Sequence, residues 1–383
     1  MMPNYIEQFE QLDWDDTLLQ LYGKTTLDVQ RVLEKSVLGM RLDLDDFMTL
    51  ISPMAEAFIP FMKTRSAELT QQRFGRTMGM YIPLYLSNLC SNDCTYCGFS
   101  MSNRIKRKTL NEQEVELELK AIKKKGYDSI LLVTGEQDTK VGMNYFRRVI
   151  PLVKRYFSYV AMEVQPLDEI EYVELKSLGV NSVLVYQETY HPVIYSQHHL
   201  RGKKKDFIYR LETPDRLGRA GLDKIGIGSL LGLNEWRGDS AFTAHHLMYL
   251  QKQYWRTRFS VSFPRLRPCS GGVEPQSMIS DNQLTQLICA YRLCFPEVEL
   301  SLSTREPAIL RDQLIQLGIT TLSAESSTQP GGYVHPNTEL VQFEISDERS
   351  TIDVRSMLKD HEIEAVWHDW SEAFSLTDVS RET

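Results

Sequence analysis

Three cysteines with close spacing are the residues in this sequence most able to do chemistry. Cys90, Cys94 and Cys97 stand as C-x3-C-x2-C in the segment SNLCSNDCTYCGF. Soft thiolates are the preferred ligands of iron–sulfur clusters, and one tight loop can reach three corners of a cubane. Because three cysteines cannot ligate all four irons, one iron is left open for a non-protein ligand. The spacing therefore favours a [4Fe–4S] cluster with one open iron.

Two other interpretations of these cysteines stay open. A structural zinc site needs four ligands, usually as two local pairs, but the next histidine after the cysteine segment is His191 and the next cysteine is Cys269. A disulfide with a spare thiol would need an oxidising compartment, and the acidic N-terminus has no apolar signal-peptide core. The scattered Cys269, Cys289 and Cys294 are interpreted as buried or inert thiols.

Composition limits the class of protein. The chain has 383 residues, with 43 Lys and Arg against 51 Asp and Glu, a net charge of −8. That sign is wrong for a protein whose main ligand is a polyphosphate backbone. A hydrophobic fraction of 42% with 25% charged residues is typical of a folded globular protein. No apolar run approaches the about 18 residues of a membrane span, so we expect a cytoplasmic protein.

The elements that must position the cysteines form a repeating pattern. Short strand-like runs alternate with amphipathic helical segments from residue 81, and several helical segments end in glycine. Eight such strands predict an α/β fold, a (β/α)8 TIM-type barrel. The predicted strands are Tyr81–Ser87, Ser129–Thr134, Tyr159–Val164, Ser182–Tyr186, Lys224–Gly228, Arg258–Phe263, Val298–Ser303 and Ile319–Ala324.

The rest of the chain flanks this barrel. Residues 1–80 are predicted as an N-terminal helical extension, with helices at Leu27–Ser36, Leu44–Ile51 and Met54–Phe74. The barrel is assigned to residues 81–325. Residues 326–383 are predicted as a C-terminal segment that packs on the barrel. This segment carries the aromatic residues Trp367, His368 and Trp370, which could instead cover the site or contact a partner.

The cysteine segment follows the first predicted strand, so it lies at the C-terminal face of the barrel, where active sites are built. The segment also has an aromatic residue, Tyr96, before its last cysteine, and in this form it resembles the signature of the radical S-adenosylmethionine (SAM) superfamily. The wider sequence resembles the 2-iminoacetate synthases, the tyrosine lyases of thiamine thiazole biosynthesis, over nearly the whole chain. The segments that carry this resemblance are YLSNLCSNDCTYCGFSMSNRIKRKTL, LLVTGE, MEVQPL, VYQETYH, RLETPDRLGRAGLDKIGIG, VSFPRLRPCSGG, LSLSTRE and TQPGGY.

The resemblance implies a set of cofactor contacts. Cys90, Cys94 and Cys97 match the ligands of a [4Fe–4S] cluster whose open iron binds SAM. Gly135 and Glu136 resemble the motif that binds the methionine ammonium of SAM, where glycine permits close backbone approach and a carboxylate pairs with a cation. Related enzymes also place an acidic residue on the ribose hydroxyls, and after the fifth predicted strand we expect apolar contact with adenine. The residues proposed for these contacts are Glu188, with Gln187 as its alternative, and Leu231 or Leu230.

The resemblance also implies the reaction. L-Tyrosine would be cleaved between Cα and Cβ to 2-iminoacetate and p-cresol, while SAM becomes 5′-deoxyadenosine and methionine. We expect the radical to take a hydrogen from the amino group of tyrosine. Arg305 with Ser303 would bind the substrate carboxylate, with Arg267 nearby and Arg265 as a further candidate. The implied partners are a thiazole synthase and a flavodoxin- or ferredoxin-type electron donor.

Other functions stay open from the sequence. The chain could be another radical SAM lyase or a sulfur-inserting synthase, or, from a different class, a non-catalytic metal-binding scaffold. The related tyrosine lyase of hydrogenase maturation carries a C-terminal C-x2-C motif, whereas this sequence has no cysteine after Cys294. The basic runs Arg104–Lys108, Lys123–Lys125 and Lys203–Lys205 are interpreted as solvated faces, although the first and last could dock an electron donor or hold the cofactor.

Overall fold

The eight predicted strands form one closed parallel barrel in the computed structural model, which describes residues 4–367. Hydrogen bonds join the first and last barrel strands in the register Gly79↔Thr321 to Tyr81↔Ser323, which closes the barrel. The predicted fold class is therefore confirmed. The strands are β1 (Thr77–Ser87), β2 (Asp93–Cys94), β3 (Ser129–Thr134), β4 (Tyr159–Glu163), β5 (Ser182–Leu184), β6 (His199–Arg201), β7 (Lys224–Ile227), β8 (Arg258–Ser262), β9 (Glu299–Leu302), β10 (Thr321–Ser323) and β11 (Glu364–Val366).

Helices cover the outside of the barrel and precede it. They are α1 (Tyr5–Phe9), α2 (Trp14–Tyr22), α3 (Thr26–Val37), α4 (Leu44–Ile51), α5 (Ile59–Phe74), α6 (Glu112–Lys124), α7 (Asp138–Val141), α8 (Met143–Lys154), α9 (Glu169–Ser177), α10 (Pro192–His198), α11 (Phe207–Leu211), α12 (Thr213–Arg219), α13 (Trp236–Gln253), α14 (Asp281–Cys294), α15 (Ala308–Leu314) and α16 (Thr351–Asp360). Among the described residues, no helix combines the length and the apolar character that crossing a membrane requires.

The N-terminal helices differ from the prediction at two places. The helix predicted over Met54–Phe74 is instead a short 3-10 helix, Pro53–Phe58, followed by α5. Each of these two helices has a proline in its first turn, where a missing N–H is tolerated and the chain can start a helix anew. Helices α1 and α2 were not predicted, although Asn4 and Asp13 cap their first turns.

Alternation along the barrel strands separates the interior of the barrel from its outer core. Tyr159 and Ala161 of β4 pack inside the barrel with Leu131 and Val133 of β3. The intervening residues of these strands pack outward against the helices in the main core. Because every second residue of a strand points to the same side, the next inward position after Ala161 is Glu163, at the C-terminal end of β4.

The structure adds three small strands to the predicted set. β11 pairs with the start of β1, opposite the cysteine end of the barrel, and Trp367 after β11 packs edge-on against Tyr127 at 5.2 Å. His368 and Trp370, the other members of the predicted aromatic patch, lie outside the described residues. β2 and β6 form an antiparallel pair in which Cys94 lies opposite His199.

Candidate functional site

A cavity at the C-terminal ends of the barrel strands collects most of the residues singled out in the sequence. It is lined by all three clustered cysteines, by Gly135 and Glu136 after β3, and by Glu188 after β5. A second, deeper cavity shares part of this lining and contains Ser303. The residues common to both cavities are Val133, Glu163, Leu184, Tyr186, Pro264, Arg305 and Phe343.

Backbone contacts dock the cysteine loop against the end of β3. The Ser91 backbone N–H and hydroxyl both donate to the Glu136 carbonyl oxygen, at 2.9 and 3.0 Å. Gly135 is required here, because a Cβ atom at this position would lie 2.4 Å from the Leu89 carbonyl oxygen. This contact places Cys90 beside Gly135. The glycine of the Gly-Glu motif therefore positions the loop that carries the thiols.

Two basic residues from the predicted solvated runs also hold this loop. Arg107 donates to the carbonyl oxygens of Asn88 and Phe99, both at 2.8 Å, so it is a structural cross-link. The Lys204 backbone N–H donates to the Asn92 amide oxygen at 3.0 Å. For these two residues the interpretation as a solvated face is wrong, because the Arg107 guanidinium is partly buried against carbonyl oxygens and the Lys204 side chain is only 11% exposed.

The three thiols suit an iron–sulfur cluster by their chemistry and by their common cavity. Cys90 and Cys97 are partly buried and Cys94 is buried. Burial raises the pKa of Cys90 to about 11, so this thiol must lose its proton when it binds metal. Within residues 4–367, no three His, Cys, Asp or Glu side chains are gathered to hold a metal ion. Soft sulfur donors that line one cavity nevertheless fit the ligand preference of a cluster.

Four charged side chains form a neutral cluster on one wall of the cavity. The Lys204 ammonium lies 2.6 Å from a Glu188 carboxylate oxygen, and the Arg210 guanidinium lies 3.0 Å from Glu136 and 3.5 Å from Glu188. Burial opposes the charged form of both carboxylates, but Arg210 and Lys204 outweigh it and lower the pKa of Glu136 and of Glu188. Both acids are therefore ionised at neutral pH and already paired with protein cations.

The backbone of Glu188 is strained. Its φ of 72° lies in the left-handed region that β-carbon sterics disfavour for residues other than glycine. A parallel bridge to Ser229 and a hydrogen bond from the Leu230 N–H to the Glu188 carbonyl oxygen, at 2.8 Å, hold this conformation. Such strain concentrates at functional sites, and here it turns a carboxylate into the cavity.

The predicted substrate residues lie on the opposite wall. Arg305 stacks over the Phe343 ring at 3.6 Å, donates to the Arg265 carbonyl oxygen at 3.4 Å, and has no carboxylate within salt-bridge distance in the described part of the chain. The Ser303 hydroxyl accepts from the Arg305 backbone N–H at 3.4 Å. Arg267 lines the outer cavity but already pairs with Glu306 at 3.2 Å.

Four other candidates differ in their placement. Arg265 lies outside the lining and is committed to ion pairs with Asp281 and Glu306. Leu230 lines the outer cavity, whereas Leu231 packs in the main core. Gln187 is buried, and its amide nitrogen has no hydrogen-bond partner among residues 4–367.

Sequence reasoning did not select several residues that the fold brings to the site. Gln342, in the segment after the barrel, donates to Cys97 Sγ at 3.6 Å and accepts from the Tyr85 hydroxyl at 2.8 Å. Glu163 lines both cavities. Cys269, predicted to be inert, donates to the Tyr96 carbonyl oxygen at 3.2 Å and so adjoins the cysteine loop. No spacing signal marks these residues, because each comes from a different element.

Family models divide the chain into two matched regions. The Radical SAM superfamily model matches residues 84–242. The Biotin and Thiamin Synthesis associated domain model matches residues 262–364. The first region carries the cysteine loop and the charge cluster, and the second carries the arginines of the opposite wall.

Curated relatives and solved structures extend the match to nearly the full length. The 2-iminoacetate synthases of Salmonella typhimurium and Escherichia coli are each 55% identical over 370 residues, which cover 96% of this chain and 97% of each relative. The FeFe-hydrogenase maturase HydG from Carboxydothermus hydrogenoformans superposes with a TM-score of 0.89 at 29% identity, over 96% of this chain and 86% of that one. Methylornithine synthase superposes at 0.71 with 19% identity, over 88% of this chain and 97% of that one, which supports the fold alone.

Proposed function

The chain belongs to the 2-iminoacetate synthase family of radical SAM lyases, and we propose that it cleaves the Cα–Cβ bond of L-tyrosine to give 2-iminoacetate and p-cresol. SAM would be converted to 5′-deoxyadenosine and methionine in the same reaction. The 2-iminoacetate would supply the glycine-derived unit of the thiamine thiazole. The observation that carries the substrate proposal is Arg305, whose guanidinium has no carboxylate within salt-bridge distance among residues 4–367 and lines both the cysteine-lined cavity and the second cavity.

In this proposal Cys90, Cys94 and Cys97 would hold one [4Fe–4S] cluster and leave one iron for SAM. When bound, the cluster and SAM would supply radical chemistry to the cavity. Gly135 keeps the cysteine loop close to β3, and its neighbour Glu136 lies beside the expected position of SAM. Glu188 is turned toward the same space, where it would accept from ribose hydroxyls.

The opposite wall would hold the substrate. The planar guanidinium of Arg305 matches a carboxylate with two parallel hydrogen bonds, and the Ser303 hydroxyl adds a donor. Stacking on Phe343 fixes the plane of the guanidinium. Arg267 is partly neutralised by Glu306, so it would act on the rim of the cavity and not as the main carboxylate ligand.

Two protein partners are part of the proposal. The imine product hydrolyses in water, which favours direct transfer to a thiazole synthase. Conversion of SAM to methionine and 5′-deoxyadenosine would consume two electrons and one proton per turnover, one electron for SAM cleavage and one for reduction of the fragment released as p-cresol, and a flavodoxin or ferredoxin would be the donor.

Anaerobic incubation of the reconstituted protein with SAM, dithionite and L-tyrosine tests the reaction. We expect p-cresol and 5′-deoxyadenosine to form together, and neither to form with Cys94→Ala. Formation of 5′-deoxyadenosine without p-cresol would keep the radical chemistry and exclude tyrosine cleavage. Stoichiometric zinc in place of iron and sulfide would favour the metal-binding scaffold.

A further inference from the structure

Glu163 is an acidic side chain of the site that forms no ion pair with any cation in the described part of the chain. Among residues 4–367, no lysine, arginine or histidine lies within salt-bridge distance of it, whereas Glu136 and Glu188 are both paired. It lines the same two cavities as Arg305, whose guanidinium also lacks a carboxylate partner within this described range. The cavity therefore presents one unpaired negative group and one unpaired positive group that do not pair with each other.

The fold places Glu163 in the cavity by register. On β4 it follows the inward residues Tyr159 and Ala161, and its backbone lies opposite Val133 of β3. It thus occupies the last inward position of the strand, at the level of the cysteine loop. The titratable and charged groups that face it are Tyr81 and Tyr85 on β1, Tyr186 and Glu188 after β5, Lys204 and Arg210 on the following segment, and Arg305 after β9.

An unpaired acid in a low-dielectric cavity is costly unless a ligand pairs with it. An α-amino acid carries a carboxylate and an ammonium on the same carbon atom, Cα, which matches an arginine and a glutamate that do not pair with each other but line one cavity. A ligand without an ammonium would leave Glu163 unpaired. The pair of groups therefore selects a zwitterion over a simple carboxylic acid.

We propose that Glu163 binds the α-ammonium of the substrate and accepts one of its protons, so that the neutral amine is presented for hydrogen abstraction. This proposal rests on the proposed function. One N–H bond breaks heterolytically, its electron pair stays on nitrogen, the proton moves to a Glu163 carboxylate oxygen, and no electron is transferred.

The protonation behaviour of Glu163 suits this role. Burial raises its pKa to about 7, against the opposing effect of Arg305. A base whose pKa lies near the working pH can both accept and release a proton. Because only the ionised form can accept the proton, kcat/KM should fall as the pH drops below about 7.

Glu163→Gln tests the proposal with a binding measurement that needs no turnover. Calorimetric titration uses the cluster-loaded protein with SAM and no reductant, and compares L-tyrosine with 3-(4-hydroxyphenyl)propanoate, which lacks the amino group. The wild type should prefer tyrosine by about tenfold to a hundredfold, the range for a hydrogen bond between charged groups. In Glu163→Gln the preference should fall to about threefold or less.

Glu118→Gln is the matched control. Glu118 is buried, and burial raises its pKa as it raises that of Glu163, but Glu118 accepts from the backbone of Tyr333 and Val334 outside the cavity. This variant should keep the preference for tyrosine and the acid limb of the pH profile. Glu163→Gln should lose both while it keeps iron content and far-ultraviolet circular dichroism.

The outcomes separate this proposal from the proposed function. If the wild type forms p-cresol and Glu163→Gln keeps the preference and the acid limb, only the role of Glu163 is overturned. If the wild type prefers tyrosine through Glu163 but forms no p-cresol, only the proposed reaction is overturned. If the wild type shows no preference for tyrosine over the analogue, the role of Glu163 is overturned whatever the product.

Discussion

Replacement of Lys204 by methionine should strongly destabilise the protein, although its neighbour in the same Lys-Lys-Lys run should tolerate the same change. The Lys204 side chain is 11% exposed and lies 2.6 Å from Glu188, whose side chain is 10% exposed. Lys203 is 77% exposed and pairs with Asp138 at the surface. Lys203→Met is therefore a control in which the same substitution is made at an exposed position.

The expected loss of unfolding free energy depends on whether each substitution leaves a buried carboxylate without its cation. Removing one partner of a buried ion pair costs about 3–5 kcal/mol, because an uncompensated charge remains. Arg210 stays 3.5 Å from Glu188, so we expect the low end, about 3 kcal/mol, for Lys204→Met. An exposed pair contributes about 0.2–1 kcal/mol, which bounds the effect of Lys203→Met.

Urea unfolding followed by circular dichroism, on cluster-loaded protein under anaerobic conditions, measures the difference. The folded-state pKa of Lys204 is raised, so its contribution persists below about pH 10, where lysine ionises in the unfolded chain. The pKa of Glu188 is lowered, so its contribution persists above about pH 4. The difference between the variants should therefore stay constant from about pH 6 to 9. Equal destabilisation by both variants would refute the argument from burial.

Three further predictions concern the site. Cys94→Ala should abolish reconstitution of about four iron and four sulfide per chain, whereas Cys289→Ala should retain them; iron in Cys94→Ala at the wild-type level would contradict the ligand assignment. Arg305→Lys should reduce tyrosine turnover about a hundredfold, since two parallel hydrogen bonds to the carboxylate are lost, while the absorption of the cluster is unchanged; wild-type turnover would remove Arg305 from the carboxylate role. Gly135→Ala should lower iron content, because the added methyl group meets the Leu89 carbonyl oxygen at 2.4 Å; full iron content would show that the loop adjusts without loss.

The strands of the barrel were predictable because they carry a local signal. Ser129–Thr134 matches β3 at both ends, and the other seven predicted strands overlap the observed ones. The errors concern the ends of the strands. β1 begins at Thr77, four residues before the predicted start, because its first residues pair with β11. Pairing partners far away in the sequence decide such boundaries, and no local pattern contains that information.

Residues of the candidate site could be predicted from the sequence where each follows a predicted strand and belongs to a motif that resembles the family. Cys90, Gly135 and Arg305 meet these conditions, and the fold brings all three to one cavity. Lys204 does not, because a run of three lysines has the same appearance whether one of them is buried or not. Glu163 ends a strand whose inward residues are otherwise apolar or aromatic, so only knowledge of the barrel interior distinguishes it.

The contact between the cysteine loop and Gln342 also constrains the order of events during synthesis. The three thiols are translated by residue 97, yet Gln342 donates to Cys97, and the Gln342 carbonyl oxygen packs so closely on Gly98 that an added Cβ would lie 2.1 Å from it. The ribosome must therefore add more than 240 further residues before the loop acquires its last wall. Iron that bound a nascent chain would meet an open loop. Until the segment with Gln342 folds against it, the loop lacks the contacts that this residue makes with Cys97 and Gly98.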